Sequence, residues 1–494
     1  MKRIINLSLN VLLFICLIAL ANLAYSQTSS AAFDEKISVE ELISDFNIVR
    51  ENLENLHIGL YSYTPKNDLD KEFERIKSEL DKPLTAMEFF RKLTHLNKFI
   101  GNNHTGFSPS RKILNAIRKE TPSFPFEPYW DGKHLYILKN LSSDKTIKDG
   151  SKIKSINGVS AKDLMNEMAN MLQRDGYNKT YPIRRINGGF SIHYAILKEI
   201  TETFDVEFED PSGEVKKKRI QGLSADKIAE NRIARYKNQK VSWRRTKDPA
   251  LTLSIKGDVA AMTIKTFEED LIKERKQKWK KFFKRSFKKI NKAYVKHLII
   301  DLRDNRGGQP APTIQLLKHL YDKPFTLYKS IQANVSKLPR RPYFVDDGTT
   351  ETFEKEIKWI KKGNVFEIKD KDIFKLHKPS KNQFRGKLYV LTNAFSTSAT
   401  GTLTGQLKSR TNAIFIGEEA GGNPNQTVAR QGVDIILPNS KVKVLVPLVL
   451  SVKDVSFTNK GRGVIPDYDV KPSIENIINN KDVVMEFALK LIKS

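Results

Sequence analysis

The chain has one cysteine among its 494 residues, and it lies at position 16. Disulfides, cysteine nucleophiles and thiolate metal sites are thereby excluded from the rest of the molecule. Histidine is scarce, eight in all, and no two stand at a metal-ligand spacing such as H-x-x-x-H. No metal or other cofactor is expected. Acid is in short supply: 57 Asp and Glu against 85 Lys and Arg leave a net charge of +28. Long apolar runs are missing, apart from "VLLFICLIAL" near the start, which at about ten residues is too short to span a bilayer comfortably. Zinc-finger spacing and RNA-recognition signatures are absent, so nucleic acid is not an expected partner.

That short run follows "MKRIIN" and precedes "ANLAYSQ", with small residues at Ala24 and Ser26. A positive start, an apolar centre and small residues read as a secretory signal peptide over 1–26, cut near Ser26. The expected location is exported: periplasm, cell envelope or extracellular space. Ile15 ahead of Cys16 is too large for a lipid-attachment site. The apolar fraction of 39%, with 27 Phe and 15 Tyr, suffices for packed domains, and the length predicts two or three of them.

The positive charge suits an anionic partner such as an acidic envelope surface, but it is spread along the chain. Its densest run is "IKERKQKWKKFFKRSFKKINK", 272–292. Trp279, Phe283, Phe287 and Ile290 recur there at helical spacing, which predicts one buried face with lysines on the other.

Periodicity divides the chain. Residues 33–115 read as helical. Ser38 and Glu41 form a capping box ahead of Leu42, Phe46, Val49, Leu53 and Leu56. Leu69, Phe73, Ile76 and Leu80 make a second stripe. Thr85 and Glu88 open a third, which runs through Phe89, Leu93 and Leu96 into "FIGNNHTGFSPS", a polar loop carrying His104. Residues 120–220 read as a small α+β module of short strands, one helix and a hairpin across Pro211–Gly213. A polar connector follows, about 222–248. From 250 to 494 strands and helices alternate, which predicts an α/β core with a mostly parallel sheet, interrupted by an irregular insert over 328–384. Ligands in such sheets sit beyond the carboxyl ends of strands, and "NRGG", "NAFSTS" and "EEAGG" fall at three of them.

These ends carry the chemistry. A hydroxyl at a strand-to-helix turn is either a helix cap or a nucleophile aided by free N–H groups. Gly307 and Gly308 allow backbone to approach a ligand closely. A serine nucleophile needs a base from histidine or lysine.

"LIIDLRDNRGG", "LTNAFSTSATGTLTGQLK", "AIFIGEEAGG" and "NKGRGVIPDYDVKPS", in this order, resemble the C-terminal processing (tail-specific) serine peptidase family. "MEFFRKLTHLNKFIGNNHTGF" is similar to the helical segment of its tricorn-like branch, and "IKDGSKIKSINGVSA" to its PDZ module. The resemblance implies an exported serine endopeptidase acting on extended or C-terminal protein segments, with peptide or protein substrates engaged by the PDZ-like module. It implies Ser398 as nucleophile, with Ser396 as the alternative, and His104 as base. The oxyanion donors would be the N–H of Ala399 and one from Gly307 or Gly308. Where the lysine-using branch places its base this chain has Asn423, and where the tricorn-like branch places a glutamate it has Asn459 and Lys460. Asn103, Glu418 and Asp467 are the candidates for orienting His104. The missing acid supports an alternative, a catalytically inactive relative that only binds peptides. An unperturbed imidazole predicts activity falling below about pH 6.5.

Overall fold

The computed structural model describes residues 33–236, 243–456 and 461–494. The signal-peptide reading, Cys16, Asn459 and Lys460 lie outside these ranges. None of the described helices is long and apolar enough to cross a membrane.

The N-terminal region opens with helices α1 (Val39–Leu56), α2 (Lys66–Ser78) and α3 (Ala86–Thr94). Both capping boxes close: Ser38 and Thr85 each accept the N3 backbone N–H while Glu41 and Glu88 reach back. The third helix does not continue to Leu96. It breaks at His95, a short turn of helix follows, and Gly101 ends it at φ +58°. Strand β1 (Gly106–Ser108) begins two residues after His104.

The middle region holds strands β2 (Phe126–Trp130), β3 (Leu135–Asn140) and β4 (Lys152–Ile156), then helices α4 (Ala161–Asn170) and α5 (Thr180–Asn187). Strands β5 (Thr203–Glu209) and β6 (Val215–Gln221) complete a sheet in the order β2-β3-β4-β5-β6. Part of the expected connector is instead a helix, Ala225–Arg235, which is strapped to this sheet. Arg235 donates to the carbonyls of Asn140 and Ser142, and Tyr236 Oη to Asp149.

The C-terminal half contains two six-stranded sheets. The first joins β7 (Leu251–Lys256), β8 (Val259–Ile264), β9 (His297–Asp301), β11 (Lys387–Thr392), β12 (Ile414–Gly417) and β15 (Tyr468–Asp469), in that order. Only β7 and β8 pair antiparallel; every other neighbour is parallel. Side chains leave a strand alternately to each side. Leu298, Ile300, Leu388 and Val390 therefore pack beneath helices α6 (Trp279–Lys292), α7 (Pro310–Leu320) and α8 (Ala399–Arg410). Ile299, Tyr389 and Leu391 meet the last helix, Val483–Lys493, on the other face. The lysine-rich α6 buries Phe283, Phe287 and Ile290 and turns its cations outward.

The second sheet is built on the hairpin β13 (Gln426–Ile436) and β14 (Lys443–Lys453). The region expected to be an irregular insert contributes β10 (Tyr328–Ala333) and a small hairpin to it, so it is an integral part of this sheet. The N-terminal strand β1 joins the other half of β14, with Gly106 opposite Leu445 and Ser108 opposite Lys443. One continuous apolar cluster links α1–α3, the middle module and this sheet. Asp45 on α1 pins the arrangement by accepting from Ser440 N and Oγ.

Candidate active site

Ser398 ends the turn between β11 and α8. The turn is built from inside. Ser396 is fully buried, donates from Oγ to Leu302 O at 3.0 Å and accepts from Asn393 N at 3.2 Å. Asn393 reaches to the loop after β9: its Oδ1 accepts from Asp304 N, and its Nδ2 donates to Asp304 Oδ1 at 2.9 Å. Thr397 N and Oγ1 donate to the carbonyls of Asn305 and Arg306. "NAFSTS" and "DLRDNRGG" are thus one hydrogen-bonded unit. Ser396, the alternative nucleophile, is a structural hydroxyl within it.

Ser398 is different. It occupies the N-cap position of α8, yet its φ is 54°, its ψ is −122°, and its side chain makes no capping bond. A serine cap uses extended backbone and bonds the N2 or N3 amide. A positive φ on a residue with a Cβ costs of order 1–3 kcal/mol and persists only where the surroundings impose it. Here they do. A Cβ on Gly307 would stand 2.8 Å from Ala399 N and 2.9 Å from Ser398 Cβ, and one on Gly422 would stand 2.9 Å from Ser398 N. Two glycine loops therefore clamp the serine turn from both sides.

Gly307 and Gly308 have φ of +95° and +139°. The two are not equivalent. Gly307 N–H is taken by Asn305 Oδ1 at 2.9 Å. The N–H groups of Gly308 and Ala399 have no hydrogen-bond partner among the described residues. Of the sequence candidates for an oxyanion site, that pair is open.

His104 sits in a loop shaped by Asn102. The Asn102 Oδ1 accepts from His104 N at 2.9 Å and from Thr105 N and Oγ1, while Nδ2 donates to Val428 O of β13. Thr105 Oγ1 also lies 2.7 Å from Nε2 of the buried His57. A carboxylate absent from the sequence candidates ties this loop to the serine turn. Asp175 accepts Asn103 N–H at 2.9 Å through Oδ1 and Asn423 N–H at 3.1 Å through Oδ2. Asn423 follows Gly422, which packs on Ser398. The contacts run from the His104 loop through Asp175 to the serine turn and gather both residues in one region.

Burial pushes the His104 pKa below the usual 6.5, Asp175 opposes this, and Lys453 reinforces it. The imidazole is therefore neutral at pH 7, the form a general base needs. Its Nδ1 is buried with no hydrogen-bond partner among the described residues. None of the three orienting candidates bonds to it. Asn103 gives its backbone N–H to Asp175. Glu418 lines a cleft beside Arg184 and Tyr129. Asp467 is held by Lys408 Nζ at 2.6 Å and Phe415 N at 2.8 Å, at the far end of α8. The only local sign of Asp175 in the sequence is an Asp-Gly dipeptide, which reads as a turn. Asn423 staples its own loop, donating to Tyr63 Oη at 2.6 Å and accepting from Asn425 N.

The cleft lined by Glu418 has a volume of about 660 Å³. It runs between the middle module and the strand ends, with Tyr129 and Trp130 on one wall. Arg184 borders it, pairs with Asp304 at 3.4 Å and lies over the ring of Phe395 in the serine turn. Arg184 thus links the cleft to the serine turn.

Residues 258–470 match the model of Peptidase family S41. Over this stretch the chain is similar to the serine-peptidase core of that family. The matched stretch includes Ser398, both glycine loops and strands β8 to β15, whereas His104 and Asp175 lie outside it. Mature CPAF complexed with lactacystin superposes with a TM-score of 0.60 at 14% identity, covering 92% of this chain and 97% of that one. A second structure of mature CPAF gives 0.56 at 13% identity, over 92% and 96%. At these identities the likeness speaks for the fold, and it extends across the N-terminal and middle regions as well as the S41 core. No curated protein matches the chain.

Proposed function

We propose that the chain is an exported endopeptidase that cleaves extended segments of proteins through an acyl-enzyme on Ser398. The observation that carries this reading is the serine itself: forced to positive φ, not used as a cap, and followed directly by the open N–H of Ala399. His104 takes the hydroxyl proton as Oγ attacks the scissile carbonyl. The N–H groups of Gly308 and Ala399 hold the oxyanion. The C–N bond breaks, the amine leaves with the proton from His104, and water releases the acyl group by the same route in reverse. Asp175 supplies the negative charge that stabilises the imidazolium, acting through space and through the backbone of Asn103. This answers the missing acid, the feature that supports an inactive reading.

The middle module serves as a PDZ-like reader. Such modules add an extended peptide to a sheet edge and capture its terminal carboxylate. Lys133, Lys162, Lys179 and Arg184 in the adjoining cleft suit that carboxylate.

A fluorophosphonate probe tests the assignment. It should label the wild-type chain at Ser398 and leave Ser398→Ala unlabelled. Labelling that persists in Ser398→Ala moves the nucleophile elsewhere. A wild-type chain that neither labels nor cleaves an unstructured peptide is no peptidase. Lactacystin, with which mature CPAF has been solved, is a second probe for the same hydroxyl.

A further inference from the structure

A groove on the side of the core remains outside this account. Strand β7 is the free edge of the first sheet. Helix α6 and the turn before it run beside that edge and enclose a groove of about 830 Å³. Lys276, Lys278, Lys281, Arg285 and Lys289 line it, and no acidic residue does. None of the five side chains forms a hydrogen bond or ion pair with another described residue. Other surface cations, among them Lys152, Lys218, Arg219, Lys408 and Arg410, are paired with carboxylates.

The floor of the groove is apolar, from Leu253, Ile255 and Phe282. Its wall is a strand edge, and one rung of that edge is already occupied by a mimic of a neighbouring strand. Gln277 Oε1 accepts from Leu251 N at 3.0 Å, and its Nε2 donates to Leu251 O at 2.8 Å. By the two-residue period of a strand, Leu253 and Ile255 present their N–H and C=O groups on the same edge. Among the described residues nothing pairs with the next rungs, and a cationic rail runs alongside them.

We propose that this groove docks an acidic extended peptide segment of a partner protein, which adds to β7 as a further strand. Its backbone pairs with Leu253 and Ile255. Alternate side chains settle on the apolar floor, and carboxylates meet the lysines and Arg285. An open strand edge specifies a peptide backbone, which a lipid headgroup or a polyphosphate does not possess. The absence of any acid in the lining specifies the charge of the occupant. The proposal does not depend on the peptidase reading.

The test uses the full chain carrying Ser398→Ala, so that no peptide is consumed. A fluorescent, end-blocked peptide of alternating glutamate and valine is titrated by anisotropy. We expect saturable binding that weakens as salt is raised. The triple variant Lys278→Glu, Lys281→Glu, Arg285→Glu should weaken it by roughly tenfold or more. The same peptide N-methylated on alternate residues should lose binding to a similar extent, because it cannot form a ladder. Two arms need no change to the groove, so a poorly folded variant does not rescue the idea: the N-methylated peptide, and a lysine-valine peptide that should not bind. Equal binding of the N-methylated peptide would overturn strand addition. So would phosphatidylglycerol vesicles or polyphosphate binding more tightly than the peptide with the same dependence on the three cations. No binding of the glutamate-valine peptide at low salt ends the proposal.

Discussion

In the proposed mechanism three side chains carry the chemistry, and each is suited to it by a single local constraint. The Ser398 hydroxyl is free to attack because its backbone is held away from capping geometry. Removing its hydroxyl should lower kcat by roughly four to six orders of magnitude while leaving the melting temperature unchanged, as the hydroxyl makes no bond in the fold. His104 is neutral because it is buried. A base with a lowered pKa keeps its proton-accepting form to lower pH, so the acid limb of kcat/KM should lie below the ordinary histidine value of about 6.5. Activity is lost as pH falls through that depressed value. Asp175 opposes the depression, so Asp175→Asn should move the limb further down and cost roughly a hundredfold in kcat. A pH–rate profile separates this from simple destabilisation, which would lower the whole profile without moving its limb.

At the level of elements, strands and loops place these groups. The serine turn and the loop after β9 are stitched by Asn393, Ser396 and Thr397, and glycines allow the close approach. Gly307→Ala tests the clamp. Its methyl would press on Ala399 N and Ser398 Cβ at a φ that alanine avoids. The expected result is a loss of about 1–3 kcal/mol in stability and a drop in probe labelling at Ser398. Unchanged labelling would mean that the nucleophile does not depend on this contact. Strand β1 is the equivalent device for His104. It is only three residues long, and its pairing with β14 is what brings the N-terminal loop to the C-terminal half.

On the scale of the whole molecule, the N-terminal helices are part of the packed scaffold, not an appendage. Their apolar stripes pack into the cluster that includes β13 and β14. His57 lies at this junction, fully buried, with its pKa pushed down to about 4. The unfolded chain titrates this group near 6.5, so between these values the unfolded state binds more protons. Stability should therefore fall as pH drops from about 6.5 to about 4, by roughly 3 kcal/mol from this residue alone. Urea midpoints at pH 7 and pH 4.5 measure it, and His57→Gln should flatten the difference. An equally steep fall in the variant would assign the effect to other groups.

Much of this organisation was legible in the residues. The capping boxes at Ser38 and Thr85, the stripe through Phe283, Phe287 and Ile290, and the buried strands at 297–301 and 387–392 follow from local periodicity and hydrogen-bond chemistry, which act over a few residues. The glycine and serine loops at strand ends were legible for the same reason. Tertiary structure decided the rest. It set Ser396 and Ser398 apart, because only folding ties one hydroxyl to Leu302 and holds the other residue's backbone at positive φ. It occupied the Gly307 N–H with Asn305 Oδ1 and left that of Gly308 without a partner among the described residues. It turned the stretch after Tyr328 from an insert into a sheet strand, and it brought in Asp175. Those outcomes rest on contacts between segments far apart in the chain. Local pattern carries no information about which carboxylate, from which loop, closes the distance.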